Sequence, residues 1–528
     1  MDFEQIIAID RATRFGRKEI FRLGMAVIFI VVIMLYARAI GADAPNVVFL
    51  VAGAMIGGYM ALNIGANDVA NNVGPAVGSK ALTLAGAIAI AAIFEAAGAL
   101  IAGGEVVSTI KKGIIDPGLI GDSDTFIWLM IAALLAAGLW LNAATAIGAP
   151  VSTTHSIVGG VLGAGIAAGG VGIADWHEFG RIAASWVISP VLGGTVAAAF
   201  LYLIKRKITY KREMGEAAKQ YIPLLVAVMA WAFATYLVLK GLGKIVDVGF
   251  AVATGFGVLT AVLVWGLTKW LIGRPSVQVE NSKAGVDSLF TIPLIFSAAL
   301  LSFAHGSNDV ANAVGPLAAI NEAVLKSDVA VAAEIPLWVM LVGALGLSLG
   351  LALYGPRIIR TVGSEITEFD RMRAYCVAMA AAITVIIASQ MGLPVSSTHI
   401  AVGGVFGVGF LREHLKSTYR NKIDEIEAHY SGKRSQNEVE ELLKEFAEAS
   451  FEEKGEILVQ LKRETDGDSP ITKKERKSLK KVYQEDLVKR SAFFRIVAAW
   501  LITVPATALM AAMLFFMIRG MMLPGGLA

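Results

Sequence analysis

The sequence predicts an all-α polytopic membrane protein. Two inverted-topology repeats, with broken helices and two re-entrant or hairpin segments, form its body, and a charged helical insert faces the cytoplasm. Three observations predict this. Of 528 residues, 56% are hydrophobic and 17% charged, against about 25% charged in an ordinary soluble domain. Apolar stretches long enough to cross a bilayer recur along the chain, and two polar motifs occur twice in the same order. The charge is also unevenly placed. Residues 412–490 hold 18 basic and 18 acidic side chains, so an apolar body carries one polar insert. Such a body excludes a soluble enzyme, a disordered chain and a nucleic-acid binder. A net charge of +3 offers no pull on a polyanion. The single cysteine, Cys376, excludes a disulfide framework and a cysteine-built metal site.

Spanning the hydrocarbon core takes about 20 apolar residues in a helix. Residues 1–45 carry Arg11, Arg14, Arg17, Lys18 and Arg22 ahead of an apolar segment at 25–40. A polar lead of about 24 residues is long for a signal peptide, so this reads as a retained extra helix. The first repeat, 46–204, holds spans near 46–66, 81–103, 125–147 and 178–204, with a glycine-rich segment at 150–172. The linker, 205–287, opens on Lys205, Arg206 and Lys207 and contributes spans at 221–240 and 248–272. The first part of the second repeat, 288–411, holds 289–306, 333–354 and 372–391, with a second glycine-rich segment at 394–411. The charged insert 412–490 follows, and 491–528 supplies the last span, 492–518. Counting both glycine-rich segments gives thirteen crossings. The N-terminus then lies inside, the C-terminus outside and nearly every basic cluster in the cytoplasm. Lys111 and Lys112 fall on the wrong side. No strand-like alternation recurs, which argues against a β-barrel.

The repeat is explicit. Gly65-Ala-Asn67-Asp68-Val-Ala-Asn71-Asn72-Val-Gly74-Pro75 recurs as Gly306-Ser-Asn308-Asp309-Val-Ala-Asn312-Ala-Val-Gly315-Pro316, and Pro150-Val-Ser152-Thr153-Thr154-His155 as Pro394-Val-Ser396-Ser397-Thr398-His399. Downstream, Ala184-Ser-Trp186 is matched by Ala498-Ala-Trp500. The longer histidine-to-tryptophan gap in the second copy is the charged insert. On the orientation count, the segment entering Asn67 runs inward and the one entering Asn308 outward. Homologous halves in opposite orientation are a mark of secondary transporters, with the substrate site at the repeat interface near the midplane.

In the first motif, Asp68 with the amides of Asn67, Asn71 and Asn72 makes an all-oxygen cluster on one helical face, the ligand set of a hard cation. Gly65, Gly74 and Pro75 are expected to interrupt the helix and free carbonyls. A packing motif with asparagine glue is the competing reading, weakened because an intramembrane aspartate occurs in both copies. The second motif reads as a helix start whose free N–H groups and dipole favour an anion. Ser152, Thr153, Thr154, Ser396, Ser397 and Thr398 add six hydroxyls there. Arginine is absent from both motifs, so an anionic substrate would need bound cations. His155 and His399 follow the hydroxyl runs; each could carry protons or donate locally to backbone. Glu95 lies within a span, as a coupling or a structural acid, and alignment through Gly98 and Gly346 sets Gly343 opposite it. Asn142 and Gln390 read as interhelical glue, Trp186 and Trp500 as packing.

These paired motifs closely resemble the inorganic phosphate transporter family, over about 46–411 and 492–518. The resemblance implies a multi-pass protein of the cell membrane (the inner membrane of a bacterium), a homodimer in the lipid bilayer and not an enzyme. It implies uptake of inorganic phosphate by cation symport and alternating access, with no cofactor. Na⁺ is the favoured coupling ion and H⁺ the alternative, because the Asn-Asp-Val-Ala-Asn form looks more like the sodium-coupled branch. The family's essential aspartates map onto Asp68 and Asp309 and its hairpin serines onto Ser152 and Ser396. Asn71 and Asn312 would complete the Na⁺ shells; Asn67 and Asn308, with the threonines, would complete the phosphate shell. Glu95, His155 and His399 are candidate coupling residues. The extra helix and the size of the insert depart from the usual core. A sulfate or related oxyanion permease is the runner-up; a metal-dependent hydrolase and a passive anion channel are remoter alternatives.

Overall fold

The computed structural model describes residues 3–44, 46–147, 151–244, 246, 248–274, 279–326, 335–365, 370–430, 441–445 and 490–522. Pro150 and most of the insert 412–490 lie outside the described residues. Contacts divide the chain into two compact units, 1–405 with 490–528, and 406–489. Only the first is described extensively enough to carry a fold.

That unit is a helical bundle. It opens with α1 (Phe3–Ile40) and α2 (Val47–Gly78), then α3 (Leu84–Ala102) and the short α4 (Gly104–Lys112). A hairpin follows, of α5 (Ser123–Ile147) and α6 (Thr153–Gly169), and then α7 (Trp176–Ile204). The linker supplies α8 (Met214–Lys240), α9 (Phe250–Ile272) and α10 (Lys283–Leu289). The order of the first half then returns as α11 (Thr291–Asp309) with α12 (Ala311–Lys326), α13 (Leu337–Glu365), α14 (Arg371–Gln390), the start of α15 (Ser397–Tyr430) and finally α16 (Arg490–Met522). Among the described residues, 10 helices are long and apolar enough to cross a membrane, and a further bent pair, Lys283–Leu289 with Thr291–Leu325, raises this to 11. Neither glycine-rich segment passes that test. At 17 residues, α6 is roughly 25 Å long at 1.5 Å per residue, short of a full span.

The expectation that glycine and proline interrupt the first motif is not met. The helix α2 runs unbroken through Gly65, Gly74 and Pro75, and in the second copy the ladder lapses only at Val310, whose backbone stays helical. Pro75 removes one donor and no more, so Asn71 keeps a carbonyl without its usual partner four residues on. The unwound stretches fall instead ahead of the hydroxyl runs, at Val151 and Ser152 in the first half and at 391–396 in the second.

The bundle closes through glycines that admit backbone to backbone. A Cβ on Gly65 would overlap the carbonyl oxygen of Leu347, and one on Gly306 that of Glu95; Gly350 meets Leu62 and Gly98 meets Phe303 in the same way. Gly65 and Gly306 match by sequence, as do Leu62 and Phe303. The contacts are therefore reciprocal between the halves, as in an isologous interface. They also correct the alignment of Glu95: its counterpart is Leu347, not Gly343. The hairpins are treated alike. Gly159 and Gly163 of α6 approach the Val504 and Ala508 carbonyls of α16, while Gly403 approaches Pro190 of α7. In lipid, where apolar burial no longer drives helices together, such close approach supplies the packing.

Gly65→Val or Gly306→Val is expected to cost at least about 2 kcal/mol through overpacking, read as a lowered melting temperature of detergent-purified protein. Gly255→Val is the control, since nothing lies within 4 Å of a Cβ there.

Candidate functional site

Two helix starts face the duplicated asparagine–aspartate motifs. Ser152 caps α6, its hydroxyl accepting the His155 N–H at 3.1 Å, and Ser396 caps α15, accepting the His399 N–H at 3.2 Å. Such caps satisfy one of the N-terminal donors and leave others aimed outward. The stretch leading into α15 turns at Gly392, with φ +67°, a conformation glycine adopts freely. Four consecutive carbonyls of this stretch each accept from a different helix. Thr109 of α4 donates to Gly392 at 2.7 Å and Asn308 of α11 to Leu393 at 3.1 Å. Trp186 of α7 donates to Pro394 at 3.3 Å, and Thr154 of α6 to Val395 at 3.0 Å. Irregular backbone inside a membrane protein survives only where its polar groups are met like this.

Between the helix starts lie four ionisable side chains with essentially no exposure: Asp68, Glu95, His305 and Asp309. The imidazole of His305 links them. Its Nε2 is 3.0 Å from Asp309 Oδ2 and 3.6 Å from Asp68 Oδ2, and its Nδ1 is 3.3 Å from Glu95 Oε1. Asn72 donates to the same Glu95 oxygen at 2.8 Å. Hydroxyls from both hairpins complete the ring. Thr153 and Ser397 each donate to Asp309 Oδ2 at 3.2 Å, and Thr398 donates to Asp68 Oδ1 at 3.1 Å. Asn71 donates to Thr398 at 2.8 Å, and Asn312 to Thr153 and Thr154 at 3.3 Å. Asp68 Oδ2, Asp309 Oδ1, Glu95 Oε2 and the amide oxygens of Asn72, Asn308 and Asn312 are buried without a hydrogen-bond partner. Asp68, His305 and Asp309 are spaced to hold a metal ion. Leftover buried oxygens around carboxylates are what a hard cation needs.

Of the residues singled out in the sequence, Asp68, Asp309, Asn71, Asn312, Thr153, Thr154, Ser397, Thr398 and Glu95 are brought together here. Ser152 and Ser396 stand at the rim as caps. Asn67 and Asn308 tie the unwound strands. Asn308 also donates to Ser389 at 3.1 Å, and Asn67, with its amide turned to satisfy both ends, accepts from Thr145 and donates to Val151 and to Asp68 Oδ1. His155 and His399 form a separate group. His305 is the residue that sequence reasoning missed. Its counterpart is Ile64, so a search for polar residues recurring in pairs passes over it; the available signal was a histidine inside an apolar span, next to the motif. A second asymmetry is Ser307, in place of Ala66: its hydroxyl lies 2.9 Å from the buried Tyr236 hydroxyl of α8, which belongs to the unrepeated linker.

Membrane-length helices around a sealed ring of carboxylates, faced by two helix starts, define a multi-pass membrane transport protein rather than an enzyme. Comparison with known proteins agrees. The model of the phosphate transporter family matches residues 64–511. A Helicobacter pylori protein described as "Putative phosphate permease" is 50% identical, covering 98% of both chains. A Pyrococcus horikoshii protein, also described as a phosphate permease, is 37% identical over 70% of this chain and 91% of its own. A solved structure described as "The sodium-dependent phosphate transporter" superposes with a TM-score of 0.73 at 28% identity, covering 90% of this chain and all of that one. The chain belongs to the phosphate transporter family.

Replacing His305 by leucine strips Glu95 and Asp309 of a shared partner inside the protein. The expected loss is on the order of 3 kcal/mol, measured by thermal or denaturant melting. His305→Gln, which keeps one donor, loses less.

Proposed function

We propose that this protein takes up inorganic phosphate by symport with Na⁺, through alternating access of the two hairpins. The observation that carries the reading is the double use of the hairpin hydroxyls. Thr153, Ser397 and Thr398 are suited to an oxyanion at the helix starts, yet here they donate to Asp309 and Asp68. A cation settling on the unpartnered oxygens of Asp68, Asp309 and Asn312 takes up the carboxylate charge and releases those hydroxyls. They can then turn to phosphate, held also by the N-terminal N–H groups of α6 and α15. Cation and anion thereby bind together, because each lowers the cost of burying the other. Na⁺ is supported by the all-oxygen donor set and by the sodium dependence of the solved relative.

Coupling to protons is a second reading, favoured by His305, a titratable group touching three carboxylates. Uptake of radiolabelled phosphate into proteoliposomes, with Na⁺ and proton gradients imposed separately, decides between them. The expected outcome is accumulation with a Na⁺ gradient alone, undiminished by excess sulfate. Accumulation driven only by a proton gradient would transfer the coupling role to His305, and sulfate uptake without phosphate uptake would overturn the substrate. Asp68→Asn or Asp309→Asn is expected to lower uptake at least 100-fold, with the protein still folded by melting.

A further inference from the structure

His155 and His399 take no part in the carboxylate ring. Each is the third residue of its helix, α6 or α15, and each is almost fully buried, with 3% and 1% exposure. Their rings form the middle of a chain of four. Trp186 of α7 lies 3.8 Å from His155, centroid to centroid, with the planes at 47°. His155 meets His399 at 4.4 Å and 90°, and His399 stacks on Trp500 of α16 at 3.6 Å and 27°. The backbone of Trp500 faces the His155 ring and that of Trp186 the His399 ring, so each half's tryptophan segment also borders the other half's histidine. An edge-to-face pair sets the positive edge of one ring against the π face of the other, a weak but real interaction.

The position of this chain matters more than its energy. Each half's tryptophan packs on that half's own hairpin histidine, and the histidines meet where one half gives way to the other. The glycine contacts run the opposite way, α7 against α15 and α16 against α6. The two helix starts are thus held along one line by rings and braced across it by backbone. Thr154 and Thr398, the residues just before the histidines, carry hydroxyls of the site. Thr398 reaches Asp68 and Thr154 reaches Val395 of the opposite hairpin.

We propose that His155 and His399 are positioning residues that act as neutral aromatic rings: with Trp186 and Trp500 they form a strut that sets the spacing of the two anion-binding helix starts. The proposal rests on the phosphate-symport reading for its kinetic consequence and on geometry alone for the strut. It assigns the histidines a role that a ring without an exchangeable proton can fill.

Two measurements test it. Phenylalanine keeps a ring and has no proton to exchange, so His155→Phe, His399→Phe and the double variant are expected to keep phosphate KM and maximal uptake within about threefold of wild type. Their pH profile should be unchanged between about pH 5 and 8, the range in which an ordinary histidine titrates. His155→Ala and His399→Ala are expected to raise phosphate KM about tenfold or more. Loss of uptake or a shifted pH profile in the double phenylalanine variant would overturn the proposal, as would alanine variants with wild-type KM. The second measurement needs no transport. In histidine-labelled protein, NMR should find two imidazoles with ring-current-shifted carbon-bound protons that do not move between about pH 5 and 8, and Trp186→Leu should move one of them. Two freely titrating imidazoles in their place would also sink the strut.

Discussion

Everything in this core answers to the cost of sealing three carboxylates inside a membrane protein. An ionised group there must be paired, hydrogen-bonded or left facing a cavity, and the penalty for none of these is several kcal/mol. Here the neutralising groups are mostly partial charges: three hydroxyls and two asparagine amides. Among the described residues, one imidazole is the ionisable partner within the ring. Hydrogen bonds near 3 Å between α2, α11, α6 and α15 demand that these helices approach closely. Gly306 and Gly98 stand where a Cβ would strike a carbonyl of the facing helix, and they close α3 on α11. That approach brings Glu95 to within 3.3 Å of the His305 imidazole, while Gly65 and Gly350 close α2 on α13 in the same way.

The hairpins are tied to the site from both sides. Asp309 accepts a hydroxyl from each hairpin on the same oxygen, Thr153 from the first and Ser397 from the second. The unwound stretch at 392–395 is held by Thr109, Asn308, Trp186 and Thr154, which sit on four different helices. A displacement of either hairpin consequently breaks bonds to the carboxylate ring and to the opposite hairpin at once. Packed, hydrogen-bonded elements of this sort change between discrete arrangements more readily than they deform.

The sequence made the duplicated parts legible and left the unduplicated parts obscure. Repetition identified Asp68 with Asp309, Thr153 with Ser397 and Thr154 with Thr398, because scarce polar residues in an apolar chain stand out when they recur. Composition located the linker helices and the extra helix α1. His305 was hidden by the same logic, since Ile64 occupies its counterpart. The partner of Glu95 was misjudged because glycines at four-residue spacing in α13 permit more than one register against α3, and only the backbone contacts select the pairing with Leu347. The glycine and proline of the first motif looked like helix breakers, but inside a membrane no water competes for the ladder, and α2 continues. The ring chain was beyond reach for a further reason: Trp186 and His155 are 31 positions apart, and nothing local reports that His155 and His399 touch.

The differences between the halves bear most directly on the site. Glu95 occupies the position matched by Leu347 and His305 the one matched by Ile64. One acid and one imidazole thus replace apolar residues, each in a different half, and the two meet at 3.3 Å. The imidazole then leans toward Asp309, at 3.0 Å, more than toward Asp68, at 3.6 Å. Asp309 Oδ2 gathers two hydroxyls and the imidazole, Asp68 Oδ1 a hydroxyl and the Asn67 amide, and each aspartate keeps one oxygen without a hydrogen-bond partner. Ser307 adds a further bond from the linker on the Asp309 side only. Two aspartates that are equivalent in the repeat are thus unequal in their surroundings, the imidazole lying nearer to Asp309 than to Asp68. A duplicated sequence has produced a site with a direction in it, and the residues that give it direction are the ones that were not duplicated.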